Sequence, residues 1–362
     1  MTADEPTHRD VDWLEHERLG RLLRRLGATE EELAESRESR SAGDLALELV
    51  LRDGHLPLSL QQAADASGLD VEGFTRFWRA LGFASAVGPR DRVPADLVAA
   101  LPIVSQGTTE LLGVDVSLGI ARVVGTTTAR IAEAIVDAFR MQFEVPELTA
   151  GVSYSDVVTQ YVEITRDSLP AFEALISAVL KAHLVRVASG AWAPDVDSSA
   201  TRRNLYVGFA DLVGYTALSR TLSPADLTGL LGGFEDAVSD IVTAGGGRVV
   251  KLIGDGAMFV ADSAEAGCAI ALELSARLAD SELVPLARIG ADCGSVLSLS
   301  GDYFGEVVNR AARLVALANP ATVVVSQAIA DLAERSFTFE RLPPQALKGF
   351  HAPAVTYRLL GR

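Results

Sequence analysis

The sequence predicts an α+β protein in two parts: an all-helical first part, then a domain whose helices pack against a mixed sheet. Three observations carry this. Apolar residues recur at three- and four-residue spacing through most of the first 190 residues. Beyond residue 203, short β-rich runs bounded by Gly, Pro and Asp alternate with long helical patterns. A chain of 362 residues also exceeds what one hydrophobic core usually serves.

In the first part, Leu14, Leu19, Leu22, Leu23 and Leu26 mark a helix that Gly27 suits as a stop. The run Thr29–Leu51 repeats the pattern, and Thr29 with Glu32 has the form of a capping box. Ser59–Leu69 and Val71–Leu81 predict two short helices joined through Gly68 and Asp70. They suit a helix-turn-helix or a plain helical hairpin. The acidic balance and a second helix without an arginine cluster favour the hairpin. Helices are further predicted over Pro94–Leu101, Gly107–Phe143 and Tyr154–Val187, with breaks at Gly119 and Gly125 and close packing at Thr126, Thr127 and Thr128. The apolar helices of 107–187 suit either a dimer core, the preferred reading, or a lipid pocket. Gly190–Arg203, with Pro, Gly, Asp and Ser and no period, reads as a linker or as a short signalling element between domains.

In the second part, Leu205–Ala210 is a strand ending at Asp211. Pro224–Val242 is a long helix with Ser223 as N-cap and Pro at its first position, stopped by Gly245–Gly247. Arg248–Ile253 and Ala257–Val260 flank Gly254-Asp255-Gly256, a hairpin signature. A helix over Ala264–Leu278, a strand over Leu286–Cys293, a helix over Glu306–Leu317 and a strand over Thr322–Ser326 follow. Phe337–Leu342 and Thr356–Leu360 close the sheet.

Charge and composition exclude several classes. The net charge of −16 argues against a nucleic-acid groove or a polybasic membrane surface. Residues 1–200 carry 31 acidic and 18 basic groups, while the remainder carry 17 and 14, so a polyanionic substrate belongs in the second part. Cys268 and Cys293 form no CxxC and read as ordinary buried thiols. His8, His16 and His55 lack metal-ligand spacing, and His183 reads as a surface or packing residue. The longest uncharged run, Leu314–Ala330, contains Asn319, Pro320, Ser326 and Gln327 and makes a poor membrane span. The acidic N-terminus has no apolar signal region, and the chain reads as soluble and cytoplasmic.

Two carboxylates stand at strand ends and turns, Asp211 and Asp255. Brought together they concentrate negative charge that a divalent cation compensates, and hard oxygen ligands favour Mg²⁺ or Mn²⁺. The alternative is a pair of solvated loop carboxylates. In Asp211–Thr216 a glycine after a strand lets backbone N–H groups face an anion. In Gly301–Leu314, Asn309 and Arg313 are four apart and share a helical face, with Asp302 ahead of them. Arg313 suits a phosphate, Asn309 a sugar and Asp302 an exocyclic amine, although an ordinary amphipathic helix shows the same interleaving.

Five segments together, in this order, resemble the class III nucleotidyl cyclase catalytic domain. They are Phe209–Ser219 (FADLVGYTALS), Gly246–Val260 (GGRVVKLIGDGAMFV), Ala287–Gly294 (ARIGADCG), Gly301–Leu314 (GDYFGEVVNRAARL) and Leu347–Phe350 (LKGF). The resemblance covers residues 204–362 and implies a ferredoxin-like α+β domain. It makes Asp211 and Asp255 the metal ligands, for two Mg²⁺ or Mn²⁺ per site. Lys251 and Asp302 become the base-reading pair, of the adenylyl type, and Asn309 and Arg313 the catalytic pair on ribose and reacting phosphorus. Arg288 and Lys348 correspond to terminal-phosphate contacts, and Phe209, Gly214, Tyr215 and Thr216 to the phosphate-cradling edge. The implied reaction is ATP to 3′,5′-cyclic AMP and pyrophosphate, in a homodimer with two sites shared across the interface. Residues 1–190 resemble, less specifically, the helical regulatory domain of soluble mycobacterial-type adenylyl cyclases, joined by a linker over 191–203. That resemblance brings pH, or a small-molecule or lipid effector, as the expected signal. A guanylyl or relaxed-specificity cyclase and a catalytically silent cyclase-like module are the competing readings.

Overall fold

The computed structural model describes residues 13–39, 42–52, 55, 57–83, 93–99, 111–191, 202–350 and 352–362. The chain divides into two compact units, Met1–Ala193 and Pro194–Arg362. The expected linker over 191–203 lies mostly outside the described residues; of the helix expected over Pro94–Leu101, 95–99 is helical and residues 100 and 101 lie outside the described residues.

The first unit is helical. Helices α1 (Trp13–Arg25), α2 (Glu30–Ser39) and α3 (Ala42–Leu51) enclose Leu19, Leu22, Leu23, Leu33, Leu45 and Leu49 against Val158 and Val162. The Thr29–Glu32 capping box forms in both directions, at 2.8 and 3.2 Å. Glu32 is also buried against Arg52 at 2.7 Å, an ion pair joining α2 to the end of α3. Helices α4 (Leu60–Ser67) and α5 (Val71–Ala80) form the expected hairpin, with Ser59 and Asp70 as N-caps and Gly68 in the left-handed region.

The long helix α6 (Val114–Phe139) runs unbroken through Gly119 and Gly125, contrary to the expected breaks. A side chain at Gly125 would meet the Leu81 carbonyl oxygen at 2.3 Å, so that glycine serves the close crossing of α6 and the end of α5. Thr126, Thr127 and Thr128 are exposed, and the hydroxyls of Thr126 and Thr128 bond back to their own helix instead of mediating close packing within this unit. A π-helical turn, Arg140–Glu144, passes into α7 (Val145–Thr149), and α8 (Tyr154–Ala191) follows. His183 is exposed on α8.

The second unit is the expected α+β domain. Its strands are β1 (Arg202–Leu212), β2 (Arg248–Ile253), β3 (Gly256–Ala261), β4 (Ala287–Leu299), β5 (Asp302–Phe304), β6 (Val323–Ser326), β7 (Thr338–Arg341) and β8 (Thr356–Gly361). They form one mixed sheet in the order β2-β3-β1-β4-β6-β8-β7, with β5 paired to β4. All adjacent pairs are antiparallel except β4 with β6. The helices are α9 (Tyr215–Leu218), α10 (Pro224–Ala244), α11 (Ala264–Ala279), α12 (Glu306–Val315) and α13 (Gln327–Ala333).

Strand alternation places Tyr206, Ala210 and Leu212 on one face of β1, in a core with Phe234, Val238, Ile270, Leu274 and Ile329. Leu205 and Val207 face the other way, into a second core with Met258, Val260, Val296, Tyr303, Val307 and Ala311. One expectation needs correction. Strand β4 does not end at Gly294 but continues to Leu299, because the start of β1 and the whole of β5 pair with that extension. Asp302 lies in β5 itself, after a hairpin turn in which Ser300 and Gly301 have φ of 53° and 79°.

Helix α12 lies directly on β4. A Cβ on Gly290 would fall 2.1 Å from the Val315 nitrogen and 2.8 Å from the Ala311 carbonyl oxygen. Because the obstructing atoms are backbone, the helix has to shift to admit even a methyl group. Gly290→Ala is expected to lose ~1–3 kcal/mol by overpacking, read as a lower urea midpoint at an unchanged m-value. A midpoint equal to wild type contradicts this close contact.

Candidate functional site

Strand β1 carries Asp211 next to its last residue, and pairing sets its neighbours. It stands opposite Gly256 on β3 and Arg288 on β4. Its carboxylate accepts from Arg288 Nε at 2.8 Å and Nη2 at 2.6 Å. Asp255 occupies the tight turn between β2 and β3, and its carbonyl accepts the Leu212 N–H at 3.0 Å. Asp211 and Asp255 therefore share one end of the sheet, both half-buried.

This donor set fits a hard divalent cation: two carboxylates at the end of adjoining strands, one already needing a guanidinium for charge balance. Among the described residues no cluster of three or more His, Cys, Asp or Glu side chains is present. A Mg²⁺ or Mn²⁺ ion held here would need further oxygen ligands from water and bound oxygen anions, the usual habit of Mg²⁺ at phosphate sites.

Beyond Asp211 the chain turns away from the sheet. Val213 N–H donates to the Leu286 carbonyl at 2.8 Å, and Gly214 enters α9 with φ of 76°. The first turn of a helix leaves its N–H groups without intrahelical partners, so Tyr215 and Thr216 present theirs at this end of β1. Tyr215 is anchored by packing against the main core. Phe209, two residues before Asp211, packs its half-buried ring against the second core.

The second grouping joins β2 to β5. Lys251 Nζ donates to Asp302 Oδ2 at 2.5 Å, while Asp302 Oδ1 accepts the Tyr303 N–H at 2.8 Å. The β2–β3 register shifts between Val249 and Lys251. Such an irregularity re-aims side chains, and it brings Arg248 to the same neighbourhood as Lys251. Arg248 bonds the Tyr303 hydroxyl and lies 5.1 Å from the ring centre. This support of the Asp302 strand was not foreseen. The Ser300-Gly301 turn was its available signal.

The third grouping lies on α12. Asn309 and Arg313 are both exposed, and among the described residues their side chains form no hydrogen bond or ion pair. Lys348 is exposed in a turn after β7. The structure thus joins Lys251 to Asp302, brings Arg288 and the Asp255 turn to Asp211, and leaves Asn309, Arg313 and Lys348 projecting freely.

Residue 310 was not singled out from sequence, yet it is the most connected side chain on α12. Arg310 approaches Asp292 at 3.4 Å, pairs with Glu306 and lies 5.4 Å from the centre of the Phe350 ring. Burial raises the Asp292 pKa, opposed by the Ser326 hydroxyl and the Arg310 charge. Burial also pushes the Cys268 thiol up to about 12 and Cys293 to about 11, so neither supplies a thiolate nucleophile at neutral pH.

Residues 198–361 match the family of adenylate and guanylate cyclase catalytic domains. An adenylate cyclase of Streptomyces coelicolor is 36% identical over 271 residues, covering 75% of this chain and 70% of that one. An uncharacterized protein of Mycobacterium tuberculosis is 35% identical over 360 residues, covering 95% of this chain and 90% of the other. A solved adenylyl cyclase from P. aeruginosa covers 44% of this chain and 95% of its own, at 24% identity and a TM-score of 0.40. None of the described helices is long and apolar enough to cross a membrane.

Proposed function

The chain belongs to the class III adenylate and guanylate cyclase family, and we propose that it converts ATP to 3′,5′-cyclic AMP and pyrophosphate. The observation that carries the choice of base is the direct contact of Lys251 with Asp302. Adenine donates from its amino group and accepts at the adjacent ring nitrogen. Asp302 accepts the first and Lys251 donates to the second. Guanine presents the opposite pattern at those atoms, and each buried polar group left unpaired costs roughly 1–3 kcal/mol.

In this reading the ribose 3′-hydroxyl gives its proton to water or a substrate phosphate and its oxygen bonds to the α-phosphorus as the bond from that phosphorus to the bridging oxygen breaks, releasing pyrophosphate. Asp211 and Asp255 would hold two Mg²⁺ or Mn²⁺ ions, which when bound lower the pKa of the hydroxyl and neutralise the triphosphate. Arg288 now neutralises Asp211. In the loaded site Arg288 would be free to pair with a terminal phosphate instead of that carboxylate. Lys348 meets the same phosphates from its exposed turn. The N–H groups of Tyr215 and Thr216 supply neutral donors at the end of β1, where Gly214 turns the chain. Asn309 orients the ribose, and Arg313 stabilises the charge that grows on the phosphorus oxygens.

The free state of Asn309 and Arg313 supports a site completed by a second copy of the chain. One protomer supplies Asp211 and Asp255, its partner Lys251, Asp302, Asn309 and Arg313. The first unit acts on this assembly as a regulator. A cavity of about 390 Å³ beside its π-helical turn, lined in part by Phe139, Arg140, Tyr154, Val157 and Tyr161, supports a small-molecule or lipid effector. π-Helical turns often mark functional positions.

Product analysis with ATP and GTP tests the activity. The wild-type chain should make cyclic AMP, and Lys251→Glu with Asp302→Cys should strongly reduce ATP turnover while raising the relative use of GTP. Normal ATP kinetics in that folded double variant would overturn the base-reading roles.

Residues 201–362 alone should fold and retain cyclase chemistry, with a rate or pH profile different from the full chain. Identical profiles at matched dimer fraction count against regulation by the first unit.

Shared sites are tested by mixing Asp211→Ala with Arg313→Ala chains. Each homodimer should be nearly inactive, whereas a mixed dimer holds one doubly damaged site and one intact site. Random mixing should restore about one quarter of wild-type activity per protomer, from two-fold exchange of interface residues. Tagged, purified heterodimers with no recovery would place the two residues on the same side of the site.

A further inference from the structure

Asn309 and Arg313 project from the exposed side of α12, so what they reach depends on how that helix is rotated. At the ~5–6 Å radius of a helix with side chains, a rotation of about 10° moves a side-chain tip by about 1 Å. A displacement of that size is enough to cost roughly 100-fold in a positioned reaction. The approach of α12 to Gly290 sets its depth on β4. The contact is made by backbone atoms of α12, while Val307, Ala311, Leu314 and Val315 bury the apolar face of the helix and leave its polar flank to be held by other groups.

Arg310 adds a restraint on that polar flank, next to Asn309. Its guanidinium lies 3.4 Å from Asp292, a carboxylate with 0% exposure on β4. Asp292 Oδ1 already accepts the Cys293 N–H at 2.8 Å, and its Oδ2 has no hydrogen bond of ordinary geometry. Arg310 is therefore the basic partner of an enclosed carboxylate that also faces the Ser326 hydroxyl, and rotating α12 takes the opposite charge away from it. On its other side the guanidinium covers the Phe350 ring, two residues from Lys348. Phe350 packs with Leu314, Leu317 and Leu347 in a small core between α12 and this turn. The Glu306 pair is one helical turn away and largely exposed, so it adds little restraint.

We propose that Arg310 is a positioning residue: through Asp292 and Phe350 it sets the angle at which Asn309 and Arg313 leave α12 and docks the Lys348 turn on the same helix. This rests on the cyclase reading above. Arg310 touches no substrate atom and acts only through these neighbours.

Arg310→Met should lower kcat about 10- to 100-fold with the KM for ATP changed less than about threefold, since the lost alignment acts on the reacting centre. Arg310→Lys, which keeps a charge near Asp292, should regain part of that kcat. Asp292→Asn combined with Arg310→Met should be no slower than Arg310→Met alone, because one contact has been removed from both ends. If Arg310→Met alone does not fold, this double variant, freed of the stranded carboxylate, takes its place. Mixed dimers locate the effect. The Arg310 variant should recover activity when paired with Asp211→Ala, which brings an intact α12, but not when paired with Arg313→Ala. An Arg310→Met enzyme with wild-type kcat, or one rescued by Arg313→Ala and not by Asp211→Ala, overturns the inference while leaving cyclase activity standing. A wild-type chain that forms no cyclic nucleotide overturns both.

Discussion

The register of β1 between β3 and β4 is the constraint on which the second unit depends. Each residue from Tyr206 to Asp211 is paired on both sides, so no part of this strand can slip alone. A one-residue shift turns every side chain to the opposite face. Here it would bury Asp211 in the main core and expel Tyr206 and Ala210. The same register delivers Arg288 to Asp211 and stitches the Asp255 turn to Leu212. Position of charge and integrity of core are thus one requirement.

The two faces of that sheet have different duties. Helices α10, α11 and α13 bury one face beneath large side chains such as Phe234, Leu274 and Ile329. The other face adjoins the candidate site. Its core is completed by Tyr303 from β5 and by Val307 and Ala311 from α12, elements that also carry or adjoin Asp302, Asn309 and Arg313. Packing on this face therefore aligns polar groups, and small residues at Gly290 and Ala311 allow the close approach. The buried Asp292 is an expensive feature in such a place, and its pairing with Arg310 converts that expense into angular definition of α12.

Much of this was legible in the chain itself. Ser59, Gly68, Asp70 and Ser223 announced helix ends because capping is a local transaction between a side chain and N–H or C=O groups a few residues away. Gly254-Asp255-Gly256 announced a hairpin for the same reason. The three-residue β5 was not legible, because a strand that short has no period; its existence depends on the far end of β4. Gly119 and Gly125 misled for a related reason. Glycine permits a break but does not compel one, and at Gly125 its small size was required by Leu81 from another helix.

The sequence by itself determined the division into a helical part and an α+β part, the ends of most elements, and the residue types at the candidate site. Those follow from periodicity, local capping and the residues of the five motif segments, all short-range along the chain. Only the tertiary structure decided that Lys251 meets Asp302, that Arg288 neutralises Asp211, and that Arg310 rather than its more obvious neighbours anchors α12. These pairs are separated by 51, 77 and, for Arg310 and Asp292, 18 positions. No local signal encodes them, because a charge selects its partner by distance in space and by the burial around it, and both quantities exist only after the sheet has closed.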